Sequence, residues 1–382
     1  MKYVIVAIGY NRIKSLVRLV NSLLTCDYYG EQVDLVISID KSDAQDEIAR
    51  SIKDIKWEHG KKEIVKRQER LGLRNHVLAC GDIVIDYDAI IMLEDDLVVS
   101  PFFFTYVRQT VSFYKNDTKI AGISLYKHET HPGVYRPFIP DNNGYDAFLM
   151  QFAQSWGQCW TKDMWLEFRK WYNLNQKKDL GCDDLLPRYI SSWNHQSWLK
   201  YFMRFVVESN KFFVYPYVSL STNSSESGEH NSSTSNDFQV PLLMGKCDYR
   251  LPEFDRAVRY DVYFERCNPQ LSSQFNIDED YIIDLYGKKR NYDGARFLFS
   301  TAILPYKIIK EIQLKYRPAE LNLLFPEDGK GIYLYDLSVS EIRKDRKKDY
   351  SVRYDVRAIE WNRLMRLSFE ELMEIIKWKI KQ

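Results

Sequence analysis

Glu94, Asp95 and Asp96 are three consecutive carboxylates set between the apolar runs Ile90 to Leu93 and Leu97 to Val99. Like charges this close are costly unless something neutralises them. Hard oxygen ligands of this kind suit a manganese or magnesium ion. Such an ion can bridge a diphosphate and offset the charge of a departing nucleoside diphosphate. The plainer alternative is a solvated acidic turn. The apolar flanks argue against it, because they mark the end of a buried strand rather than an open surface.

That chemistry needs a scaffold, and the first hundred residues describe one. Tyr3 to Ile8 is a continuous β-branched run of the type found in buried parallel strands. Gly9-Tyr10-Asn11 breaks it. From Ile13 to Leu24, Leu16, Leu19, Val20 and Leu23 recur at helical spacing. Val33 to Ile39 reads as a second strand ending at Asp40. Ala44 to Ile55 reads as a helix, Glu63 to Arg67 as a strand, Asn75 to Ile85 as a helix, and Ala89 to Leu93 as the strand that delivers the triplet. This alternation predicts a doubly wound, mostly parallel sheet. Ligands of such sheets bind beyond the carboxyl ends of the strands. Asn11, Asp40 and the acidic triplet all fall there.

Bulk properties narrow the function classes. The chain has 382 residues, 45% of them apolar and 15% aromatic, enough for a large core plus an appendage. Lys+Arg 54 against Asp+Glu 53 gives a net charge of +1, which offers no global field for nucleic acid. Its 6 cysteines include no CxxC pair, so a zinc cage is not expected, and free thiols fit a reducing, cytoplasmic compartment. Met1 runs straight into a strand-like stretch, so no leader is read there. No apolar run approaches the ~20 residues of a membrane span.

These residues carry a family resemblance. The stretch from Leu93 to Phe103 resembles the metal motif of GT-A-fold glycosyltransferases, N-acetylglucosaminyltransferase I and related bacterial polysaccharide transferases above all. Ile8 to Arg12 resembles their opening nucleotide-binding loop. Ser38 to Asp40 resembles the second-strand motif, Leu73 to His76 a helix start that supplies a nucleotide-contacting histidine, and Ser155 to Trp160 a Gly-Trp segment on the acceptor side. The resemblance covers roughly residues 3–235 and is most specific in the first hundred. It implies a GT-A, Rossmann-like domain with a mostly parallel sheet. The implied activity is a metal-dependent, inverting hexosyl or N-acetylhexosaminyl transfer in bacterial surface-polysaccharide assembly. The donor would be a nucleotide-sugar, a UDP-sugar by preference, and the acceptor an oligosaccharide, with a lipid-linked one as an option. Asp96 would ligate Mn2+ or Mg2+, Glu94 and Asp95 would hold the ribose and donor sugar, and Arg12 and Asp40 would frame the base. His76 would contact the nucleotide, and His230, at the tip of a polar loop from Ser221 to Asp237, would reach the metal or diphosphate.

The resemblance fails at the general base. An inverting transferase needs one to deprotonate the acceptor hydroxyl. The matching segment here is Trp198-Leu199-Lys200-Tyr201, with no carboxylate at either central position. His195, Asp183 and Asp184 are the remaining candidates, and the base stays unassigned. Two other readings therefore stay open: a catalytically inactive nucleotide-sugar-binding scaffold, and a sugar-nucleotide nucleotidyltransferase, for which Gly9 to Arg12 is a poor Gly-rich loop.

Past about residue 260 the pattern changes, giving a catalytic domain over 1–260 and a mainly helical C-terminal region over 261–382. Ala295 to Leu314 and Ala358 to Ile380 read as helices. The last is amphipathic with late basic residues. It would pack on the catalytic domain, lie on the inner face of the cell membrane, or form a homodimer contact.

Overall fold

A computed structural model describes residues 1–178, 180, 185–224, 238–245, 248–277, 280–341, 350–356 and 359–380. The chain divides into two compact units, Met1–Cys267 and Asn268–Gln382.

The first unit is mixed α/β. Its opening elements are β1 (Tyr3–Gly9), α1 (Ile13–Leu24), β2 (Val33–Ile39), α2 (Gln45–Lys53), β3 (Lys62–Lys66), α3 (Gly72–Gly81), β4 (Ala89–Glu94), β5 (Leu97–Val99), α4 (Phe103–Tyr114) and β6 (Ile120–Ser124). A two-stranded hairpin follows, β7 (Thr130–His131) and β8 (Arg136–Pro137). Then come β9 (Ala147–Met150), β10 (Gln158–Thr161), α5 (Lys162–Asn175), α6 (Arg188–Ser191), α7 (Trp198–Glu208), β11 (Phe212–Pro216), β12 (Ser221–Asn223) and β13 (Arg259–Tyr260).

Nine of these strands form one sheet in the order β13-β9-β11-β6-β10-β4-β1-β2-β3. The block β4-β1-β2-β3 is parallel throughout. β10 enters antiparallel between β4 and β6, and β11 pairs parallel with β6. The sheet is therefore mostly parallel, with antiparallel strands confined to β10 and the far edge. β13 pairs with β9, so this sheet extends to residue 260 itself and the unit continues beyond it.

Every residue of β1 is buried, as its unbroken apolar run requires of a central strand covered on both faces. On α1, Leu16, Leu19, Val20 and Leu23 are all buried, the face the 3/4 spacing predicts. α7 begins at Trp198, where the Ser197 side chain accepts from the Lys200 amide and caps the helix. Ser221 to Asn223, expected as the start of a polar loop, is instead a strand paired antiparallel with β5. The rest of that loop, including His230, lies outside the described residues, apart from Ser224.

The second unit holds β14 (Tyr281–Asp284), β15 (Phe297–Ser300), β16 (Tyr306–Gln313), α8 (Leu321–Leu324), β17 (Gly331–Ser340), α9 (Tyr350–Val356) and α10 (Trp361–Ile380). Its four strands form a sheet in the order β14-β15-β17-β16. Ala295 to Leu314, expected as a helix, is thus two strands, β15 and β16, separated by Pro305. The period decides it: alternation of Phe299 and Leu298 sends them to opposite faces, into separate apolar clusters with Ile332 and Tyr333 respectively. The helix expected at the C-terminal end is α10, with Trp361 and Phe369 exposed. No helix among the described residues is long and apolar enough to cross a membrane.

The face of the sheet carrying α3 and α5 closes at Gly81. A Cβ built there would stand 2.0 Å from Trp165 Cζ2, and Trp165 is fully buried with its indole N–H donating to Asp82. Only glycine lets the end of α3 approach α5 this closely. Gly81→Ala should overpack this contact and lower stability by about 1–3 kcal/mol, read as a fall in the urea midpoint. An unchanged midpoint would mean the helices can part at no cost.

Candidate active site

The register of three parallel strands gathers the site. Gly9 on β1 lies opposite Ile39 on β2, and Ile8 lies opposite Glu94 on β4. The loop Gly9 to Arg12, Asp40 and the triplet therefore leave the same edge of the sheet, the edge where parallel α/β sheets hold ligands. A direct hydrogen bond ties two of them, Asp40 N to Gly9 O at 2.9 Å. On the other side of β4, Gln158 pairs with Met92, which brings the Trp156-Gly157 turn toward the triplet. Gly157 has φ +95°, and a Cβ there would sit 2.7 Å from Ser221 Oγ, so the turn admits no side chain.

Arg12 meets the triplet. Its Nη2 hydrogen-bonds Asp95 Oδ1, its Nε lies 3.4 Å from Asp95 Oδ2, and Nη2 is also 3.4 Å from Asp96 Oδ2. Asp95 is buried. Asp96 keeps one buried oxygen, Oδ1, with no hydrogen-bond partner. Burial first, then the charges of Asp96 and Asp95, push Glu94 up to about 8, with Arg12 opposing them. Among the described residues, Arg12 is the guanidinium set against these carboxylates, and burial beside Asp96 and Asp95 favours a proton on Glu94.

A divalent cation fits this arrangement. Among the described residues, no three His, Cys, Asp or Glu side chains surround a common point as a closed cage. Magnesium-like ions do not require one, since they commonly take one or two carboxylates and fill the remaining positions with phosphate oxygens and water. The orphaned Asp96 Oδ1 is a donor of that kind.

Asp40 is buried and spends its carboxylate on backbone: Oδ1 accepts from Lys41 N and Leu71 N, and Oδ2 from Gly72 N, each at 2.9 Å. It clamps the β3–α3 loop to the end of β2. His76, one turn into α3, is also buried, with Nε2 2.8 Å from Ser38 Oγ. Burial lowers its pKa to about 4, with Arg67 adding to the effect and Asp40 opposing it.

Of the three base candidates, His195 is the one among the described residues. His195 is exposed in the turn before α7, its ring against Gln196, and its carbonyl accepts from Arg74. No contact among the described residues joins it to Asp95 or Asp96. Asp183 and Asp184 lie outside the described residues, as does His230. Lys200 is buried and donates to the carbonyls of Ser191 and Trp193, so it fastens the α6–α7 turn.

Several site residues escaped the sequence reading. Ser224 N donates to Asp96 O at 2.8 Å, and Ser224 Oγ accepts from Arg18 at 2.6 Å. Arg67 reaches Ser38, and Gln45 bonds the carbonyls of Ile39 and Arg67. Arg70 lies over the Tyr10 ring at 5.1 Å.

No protein-family model matches the chain, and no curated protein does. Among solved structures it is similar to S. aureus TarS in complex with UDP, at 11% identity and TM-score 0.38, over 58% of this chain and 60% of that one. TarS in complex with UDP-GlcNAc matches at 12% identity and TM-score 0.40, over 62% of each chain. The mannosyltransferase PcManGT from Pyrobaculum calidifontis, in complex with GDP-Man and Mn2+, matches at 10% identity and TM-score 0.32, over 44% of this chain and 46% of that one. The chain spans less than two thirds of each of these. At such scores none of the three carries a conclusion about this protein.

The state of His76 has a measurable consequence. An imidazole held neutral by burial takes up a proton in the unfolded chain below about 6.5 but not in the folded one until about 4. Its contribution is therefore complete above pH 6.5 and is lost as pH falls toward 4, up to about 3 kcal/mol. His76→Gln can keep the Ser38 contact without titrating. Urea midpoints at pH 7 and pH 4.5 should fall less in this variant than in the wild type. Equal falls would show that His76 charges freely in the folded protein.

Proposed function

We propose that this protein transfers a sugar from a nucleotide-sugar donor, a UDP-sugar, to a saccharide acceptor, with Mn2+ or Mg2+ held at Asp96. The reading rests on one observation: a carboxylate with an orphaned buried oxygen, at the end of a central parallel strand, facing the loop between β1 and α1. That edge suits a nucleotide, with the Gly9 to Arg12 loop and the clamped Leu71-Gly72 segment on its two sides.

In this reading Asp96 ligates the cation. A divalent ion there would offset the charge of the leaving nucleoside diphosphate. Asp95 fixes the loop through Arg12, and Glu94 would meet a sugar or ribose hydroxyl. Asp40 serves by positioning, since its oxygens already hold three backbone amides. His76 orders α3 behind it through Ser38. The Trp156 ring, half-buried and 4.9 Å from Tyr126, gives the acceptor side a flat apolar face.

One observation favours a second reading, a nucleotide-sugar-binding scaffold without transfer. Lys200, at a position where the resembling transferases carry their base, is committed to two carbonyls and cannot take a proton from an acceptor. Release of UDP from a panel of UDP-sugars with saccharide acceptors separates the two, because a scaffold binds donor and releases none.

Asp96→Asn preserves shape and removes the charge. Calorimetry with UDP should show the wild type gaining affinity with Mn2+ and the variant losing that gain by about tenfold or more, the size expected for a charged contact of about 1.5–3 kcal/mol. A full manganese-dependent gain in the variant would move the cation away from Asp96.

A further inference from the structure

Arg12 stands at the turn from β1 into α1, with its side chain 24% exposed. Two nitrogens face Asp95, which is buried and gives the guanidinium a fixed pivot. The reach to Asp96 is different. It is a single 3.4 Å approach by Nη2, an atom already bonded to Asp95, and it engages Oδ2 while Oδ1 of the same carboxylate is left without a partner. The same cation therefore holds one carboxylate firmly and screens the next one loosely.

A divalent ion on Asp96 would sit beside that guanidinium, and two cations at such a separation repel. Either the ion binds poorly or Nη2 turns away. A diphosphate supplies what Nη2 needs on turning, because guanidinium nitrogens pair well with phosphate oxygens. The partly exposed side of Arg12 gives room for the turn while the Asp95 pivot stays in place.

We propose that Arg12 is a positioning residue that occupies the cation's place at Asp96 in the free protein and yields it to a divalent ion only when a nucleoside diphosphate takes up its Nη2. The inference rests on the metal and nucleotide reading above and adds to it an order of events. Metal alone binds weakly, diphosphate alone meets Arg12, and the two together bind with a coupling that passes through one side chain. Arg18, on α1, gives its Nη2 to Ser224 Oγ.

The test measures Mn2+ binding to the full chain by the electron paramagnetic resonance of free Mn2+, with and without UDP. The proteins are the wild type, Arg12→Gln and Arg12→Lys. The wild type should bind Mn2+ weakly alone and about tenfold or more tightly with UDP. Arg12→Gln should bind Mn2+ alone about tenfold more tightly than the wild type, and its gain from UDP should shrink. Arg12→Lys keeps the charge and should stay near the wild type in Mn2+ affinity. Arg12→Met, which keeps the apolar stem, serves as the neutral variant if the glutamine variant does not fold. Unchanged Mn2+ affinity with unchanged UDP coupling in the neutral variants would overturn the proposal and leave Arg12 as a fixed partner of Asp95. Absence of Mn2+ binding in every protein, with UDP present, would instead overturn the metal reading itself, and this inference with it.

Discussion

The pairing of β1 with parallel neighbours on both sides is the constraint from which the site follows. β1 is buried at every position and hydrogen-bonded to a parallel strand on each side, so a slip by one residue would exchange the side chains packed on its two faces and break both registers. That register sets Ile8 against Glu94 and Gly9 against Ile39. The polar residues beyond each strand end then have no freedom to be elsewhere. An acidic triplet, a basic loop residue and a clamping carboxylate meet because three apolar strands are locked side by side.

What they meet over is a charge imbalance. Arg12 satisfies Asp95 and partly screens Asp96, while Glu94 is driven toward its protonated form by burial and by its neighbours. A fold that needed only stability would not gather three carboxylates at one strand end, since apolar residues would fill the same space more cheaply. Buried polar atoms left without partners are uncommon in folded proteins, and their place at a strand end facing a loop is where binding chemistry is usually found. By contrast, Asp40 and His76 have their needs met within the protein, by amides and by Ser38.

The parallel core and the place of the triplet were legible because their signals are local and strongly periodic. Tyr3 to Ile8, Val33 to Ile39 and Ala89 to Leu93 are strand runs of one kind, followed by Gly9, Asp40 and Glu94. The pairing of Arg12 with Asp95 was not legible, since nothing in sequence links residue 12 to residue 95. The same holds for Ser224 and Asp96, which meet only through the β5–β12 pair. Ala295 to Leu314 misled because its isoleucines and leucines fit a helical stripe as well as an alternating strand. Pro305 is the break between the two strands. Asp40 reads in sequence as a strand-end carboxylate free for a ligand, whereas its three amide partners come from the next residue and from a loop beyond β3.

The small pairing of β5 with β12 has a bearing on the birth of the protein. The amide that caps the Asp96 carbonyl belongs to Ser224, whose side chain also holds Arg18 across 206 residues of chain. Closing loops of that span carries an entropy cost that must be met before the contact returns anything, and contacts distant in sequence form slowly. A ribosome that has released only the first two hundred residues has released the whole β-α-β core, the triplet and Arg12, but not this cover. Until Ser224 emerges, the Asp96 carbonyl lacks the amide it accepts from in the complete fold. The amide that closes over Asp96 thus emerges well after the parallel strands that deliver the triplet.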